Sequence, residues 1–138
     1  MPGSYLIDVS LGIVFSRGWG VLTDAELISH AATLRADSRF NPGLRQVVDF
    51  LGLTKLDITS GAVSEVAQKN PFRRDSRRAF IVPSVETLGV TRMFELYMGA
   101  DPEQFKIFQA LAPALQWVGL DPETGWPTRA PDVTFGVS

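Results

Sequence analysis

"LRQVVDFLGL", residues 44–53, decides the fold. Its apolar centre at Val47, Val48 and Phe50 is compact rather than strictly alternating. A strand with one wet face alternates apolar and polar residues, whereas a continuous run suits a strand buried on both faces. Strands of that kind belong to parallel sheets, whose connections are helices packed on the faces.

The segments around it read accordingly. Downstream, "SGAVSEVAQKN" is a short helix with Ala62, Val63, Val66 and Ala67 on one side, stopped by Asn70-Pro71. "RRAFIVP" is the next strand, closed by Pro83, and Ser84 is placed to cap a helix running to about Gly99. "QFKIF" is a further strand, and "ALAPALQWVGL" is a last helix that tolerates Pro113 in its first turn. Upstream, "SYLIDVS" and "GIVFSRGWG" form a hairpin turning at Ser10–Gly12, with Gly18 and Gly20 loosening the end of the second strand. Thr23 and Glu26 form a capping box before a helix that presents Leu27, Ala31 and Leu34 and ends near Asp37. "NPG" at 41–43 is a turn. The order is β-β-α-β-α-β-α-β-α: a single α/β domain over 1–120, with a mixed, mostly parallel five-stranded sheet and about four helices. Residues 121–138, with Pro122, Pro127 and Pro131, read as an extended tail.

Composition narrows the function. With 138 residues and 45 % apolar content, a substantial core is expected. The net charge of −2 argues against a general binder of nucleic acid or anionic membrane. The absence of cysteine excludes disulfides, thiol catalysis and thiolate metal sites. The N-terminal stretch lacks the features of a signal peptide, and no apolar stretch reaches the ~20 residues of a membrane span. A cytoplasmic protein without cofactor or metal is expected. His30, between Ser29 and Ala31, is expected at the surface, and no nucleophile elbow, P-loop or dinucleotide fingerprint is present. Trp117 is expected in the core and Trp19 packed at the strand end.

The ordered words "GWGVLTDAEL", "FNPGLRQVVDF", "RRAFIVPS", "LGVTRMFELY" and "IFQALAPALQWVGL" resemble the SpoIIAA-like family, a relative of the STAS domains of anti-sigma-factor antagonists and sulfate transporters. The resemblance spans about residues 5–120. It implies a small α/β sandwich acting as a non-enzymatic binding or regulatory module through protein–protein contact, with a protein partner or homodimer. The wider fold neighbourhood includes CRAL-TRIO lipid carriers, which implies an alternative: a carrier or sensor of a small apolar ligand or lipid, lodged under the third helix and associated with membranes.

Three groups of residues are candidates. Anti-sigma-factor antagonists accept phosphate on a hydroxyl at a helix start, and "DITSG" occupies the corresponding place here, with Asp57, Thr59 and Ser60. Ser60 lies one residue further from Asp57 than the family pattern has it, and the same residues also read as an ordinary helix cap. "FRRDSRRAF" gathers Arg73, Arg74, Arg77 and Arg78, a candidate anion site by guanidinium chemistry or else a solvated loop with Asp75 pairing one arginine. Strand alternation sends Arg77 and Arg78 to opposite sides. In the third helix, Val90, Met93, Phe94, Tyr97 and Met98, with Arg92 among them, make an apolar arc wider than the ~100° of a surface helix. That arc is a candidate ligand or interface surface, or is covered by neighbouring helices or the tail.

Overall fold

The computed structural model describes residues 3–135. The chain runs β1 (Gly3–Asp8), β2 (Ile13–Thr23), α1 (Asp24–Ala36), β3 (Arg45–Asp57), α2 (Ser60–Gln68), β4 (Arg78–Ile81), α3 (Val85–Met98), β5 (Phe105–Phe108), α4 (Leu111–Trp117) and β6 (Val133–Phe135). The sheet order is β5-β4-β3-β2-β1-β6. β2 through β5 pair in parallel, while β1 is antiparallel to both β2 and β6. The expected α/β class and mixed sheet are present, with six strands rather than five.

The extra strand comes from the segment expected to be a tail. Val133 pairs with Tyr5 and Phe135 with Gly3, so this segment covers the free edge of β1. Asp132 fixes it: its carboxylate accepts from the Ile7 amide at 2.8 Å and is ion-paired with Arg39 and Arg129. Nothing in the local sequence makes a three-residue strand just after Pro127 and Pro131; the open edge supplies the backbone partners. Residues 136–138 of the expected tail lie outside the described residues.

Strand alternation sorts the core into two layers. Leu6, Ile13, Phe15, Val47, Ala79 and Ile81 meet Ala114, Leu115 and Val118 around α4. Trp126 packs edge-on against Phe15 at 5.2 Å on that same side, with Arg17 over its ring at 4.3 Å. The opposite face carries α1, α2 and α3, with α2 in contact with both of the others. Complete burial of each such aliphatic side chain stabilises the fold by ~1.5–3 kcal/mol. β3 is longer than the run that announced it because β2 pairs with it along its whole length, from Arg45 to Asp57.

β2 likewise continues past Gly18 and Gly20, where the sequence suggested a loosened end. Irregularities in the ladder at Arg17/Trp19 and Gly20/Val21 absorb the glycines, and Gly20 takes φ of 70°. Gly52 on β3 faces this bend; a Cβ there would lie 2.8 Å from the Cβ of Trp19. Trp117 is half-buried rather than fully in the core, flanked by Arg77 at 5.2 Å and Lys106 at 5.6 Å from its ring.

Candidate functional site

A cavity of about 120 Å³ separates α1, α2 and α3 from the sheet. Leu22, Leu27, Val48, Phe50, Phe80 and Phe94 are among the residues of its apolar wall. Leu34 is the buried anchor of α1, and it lines the cavity together with Ala31 and Leu27, the last also packed against Leu22 and Leu53 of the sheet. Small side chains at Ser16 and Ala31 leave the space unfilled.

A row of polar groups crosses this face of the sheet. Parallel register sets Gln46 beside Arg78, and Ser16 follows on β2. Arg78 is 7 % exposed. Its Nε and Nη2 donate to Gln46 Oε1 at 3.0 and 2.8 Å, and Nη1 donates to Asn70 Oδ1 at 3.0 Å and to Met98 Sδ at 3.0 Å. Gln46 Nε2 passes a further hydrogen bond to Ser16 at 3.2 Å. The guanidinium lies over Phe72 at 4.2 Å and is flanked by Phe80 and Phe94. Every partner is neutral: among the described residues no carboxylate pairs with Arg78. Burial pushes its pKa down to about 9. Charged side chains lining the cavity are Arg35, Lys69 and Arg78, all cations, with Arg35 and Lys69 exposed at its margin.

His30 also lines the cavity. Contrary to the surface position expected from its neighbours in sequence, its ring stacks on Tyr5 at 5.9 Å and meets Phe135 at 4.7 Å. Its Nε2 is buried without a hydrogen-bond partner among the described residues. Burial drives its pKa down to about 4, so it is neutral at physiological pH.

The four arginines of the 73–78 run do not form one patch. Arg73 is exposed and pairs with Asp75 at 3.3 Å, as the solvated-loop reading has it. Arg74 is exposed. Arg77 turns to the α4 side and donates to the Trp117 carbonyl at 2.8 Å. Arg73, Arg74 and Arg78 border a second pocket of only about 20 Å³.

At the start of α2, the cap is Thr59: its Oγ1 accepts from the Ala62 amide at 3.2 Å. The same hydroxyl donates to Asp24 at 2.8 Å, and the Thr59 amide donates to Asp24 at 2.7 Å, tying the first turns of α1 and α2 together. Ser60 is the first residue of the helix and is exposed, as is Asp57 at the end of β3.

The wide apolar arc of α3 divides. Val90 and Phe94 line the cavity, Phe94 within 5.9 Å of Phe80 and 6.2 Å of Phe105. Met98 sits on Arg78, Met93 is half-buried, and Arg92 is exposed and paired with Glu95 at 3.1 Å. Tyr97 and Leu96 point outward, 48 % and 78 % exposed, and Val85 is 85 % exposed. The segment after Leu120 does not cover α3; it runs to the other edge of the sheet.

Sequence reasoning missed Ser16, Gln46 and Asn70. A signal existed for the first two, because each is a polar residue at an inward position of a doubly covered strand. Asn70 read only as a helix stop. Among the described residues, no group of three or more His, Asp or Glu is placed to hold a metal, and no helix is long and apolar enough to cross a membrane. Compared with known proteins, no family model, no curated protein and no solved structure matches this chain.

Proposed function

We propose that this chain is a non-enzymatic binding module of SpoIIAA-like, STAS-related type, whose cavity under α1, α2 and α3 receives a small, mainly apolar ligand. The observation that carries this reading is the cavity itself, about 120 Å³ with a predominantly hydrophobic wall. Well-packed interiors leave few voids larger than a water molecule, and apolar cavities of ~150 Å³ take up benzene-sized molecules. Native mass spectrometry of protein purified from its own host tests it. A non-covalent adduct is expected on the wild type, and it should be lost when Val63→Phe fills the space. A bare wild-type mass, together with no uptake of benzene or benzyl alcohol by titration, would overturn it.

A second reading, a regulatory module working through protein contact, is supported by Val85, Leu96 and Tyr97 on the outer side of α3. Large apolar side chains exposed along one helix are a feature of many contact sites. Leu96→Asp should then abolish partner capture or self-association without lowering stability, measured by light scattering and affinity purification.

A further inference from the structure

A buried arginine without a counter-ion is uncommon. Guanidinium stays protonated under all ordinary conditions, and a buried charge is usually paired. Arg78 has four hydrogen-bonded contacts, all to uncharged groups, and three aromatic rings around it. These contacts solvate the charge but do not neutralise it. The chain has 15 acidic residues against 13 basic ones, yet among the described residues no acidic side chain lines this cavity and three cations do. A second polar atom, Nε2 of the cavity-lining His30, is buried without a hydrogen-bond partner among the described residues. Apart from these, Ser16, Gln46, Asn70, Thr91 and the marginal Arg35 and Lys69, the wall is hydrocarbon.

We infer that the cavity takes a small amphipathic monocarboxylate, with its carboxylate at Arg78 and its apolar body between the sheet and α1–α3. This rests on the reading above that the cavity is a ligand site, and adds the chemical class of the ligand. Four of the five guanidinium N–H groups are taken by Gln46, Asn70 and Met98, which leaves one on Nη2 to donate to a carboxylate oxygen, and one negative charge balances one buried positive charge. An oxyanion with two charges and no hydrocarbon would leave one charge unmatched and the apolar wall uncovered. The second pocket beside Arg78, about 20 Å³, is too small to seat a ligand with an apolar body. Arg35 at the margin favours approach of an anion, while Lys69 there is paired with Glu65 at 3.7 Å.

The test uses benzoate and pentanoate, each beside its neutral amide, and inorganic phosphate, titrated into the full chain by calorimetry at neutral pH. The carboxylates should bind about tenfold or more tightly than their amides. Arg78→Met should erase that preference while leaving amide binding. Met98→Glu provides an independent variant: the Met98 sulfur lies 3.0 Å from Arg78 Nη1, so a glutamate there supplies an internal counter-ion. It should raise the melting temperature and also erase the preference. If acids and amides bind the wild type equally, the ligand site stands and the carboxylate assignment falls. It falls too if the preference survives both variants, or if phosphate binds as well as benzoate. If neither acids nor amides bind, the ligand-site reading itself is wrong and this inference goes with it.

Discussion

Thr59 and Ser60 stand side by side at the start of α2, and the hydroxyl with cap geometry is that of Thr59. Losing an N-cap costs ~1 kcal/mol, and here the same side chain also holds Asp24. Thr59→Ala should therefore lower stability by about 1–2 kcal/mol in urea unfolding, whereas Ser60→Ala should stay within ~0.5 kcal/mol of wild type. Equal effects would mean the cap can shift by one residue. The sequence narrowed the cap to these two residues; choosing between them depended on Asp24, which only the packing of α1 beside α2 brings near. His30 was illegible for a similar reason: its burial comes from Tyr5 and Phe135, far away along the chain. Its folded pKa of about 4 lies below the ordinary value of 6.5, so between those values the unfolded chain binds more protons. Stability should be fully present above pH ~6.5 and decline as pH falls towards 4, by up to roughly 3 kcal/mol. His30→Phe, which keeps a ring between Tyr5 and Phe135, should flatten that slope in melting curves recorded from pH 7.5 to 4.5. An unchanged slope would assign the decline to other groups.

At the scale of elements, capping and breaking signals did most to make the fold legible. Thr23 and Ser84 cap the helices they precede, and Gly99 ends α3 with φ of 64°. The parity of β4 was legible as well: Arg77 and Arg78 diverge as alternation requires. What parity could not convey is that the inward side of β4 meets a cavity rather than water. The breadth of α3's apolar arc was visible, but not which half of it faces the sheet. Phe94 faces inward and Tyr97 outward, and this has a measurable consequence. Phe94→Ala should cost about 3 kcal/mol, the low end for truncating a phenylalanine in a core, because the side chain is only half-buried. Tyr97→Ala should change stability by less than ~0.5 kcal/mol. Chemical denaturation of the two variants decides the orientation; comparable losses would place both sides of α3 against something.

For the whole molecule, the segment after α4 turns from an apparent tail into a clasp. It crosses the α4 face, where Trp126 lies on Phe15 and under Arg17, and returns to the β1 edge as β6. Its polar lock runs from Tyr5, whose hydroxyl donates to Asp37 at 2.6 Å, through Arg39 to Asp132 and Arg129. The hydrogen bonds from Arg39 hold Asp37 far below the usual aspartate range. Burial works against ionisation of Asp132, but the bonds from Arg129 and the Ile7 amide outweigh it and hold its pKa down as well. Both groups therefore contribute stability above the ordinary aspartate value, and that contribution is lost as pH falls below it. Ending the chain at Leu120 should leave a folded α/β domain, because α4 and both core layers keep their strand partners. It should lower the melting temperature by about 10 °C, as expected for ~3 kcal/mol lost in a domain of this size. Two further signs distinguish loss of the clasp from general damage. Hydrogen exchange should accelerate at the β1 amides that face β6 but not at those paired with β2, and the acid-side loss of stability should become shallower because Asp132 is gone. A truncated chain as stable as the full one would show that the edge strand and its lock add nothing. Exchange accelerated evenly across the sheet would show instead that the segment supports the α4 core rather than the β1 edge.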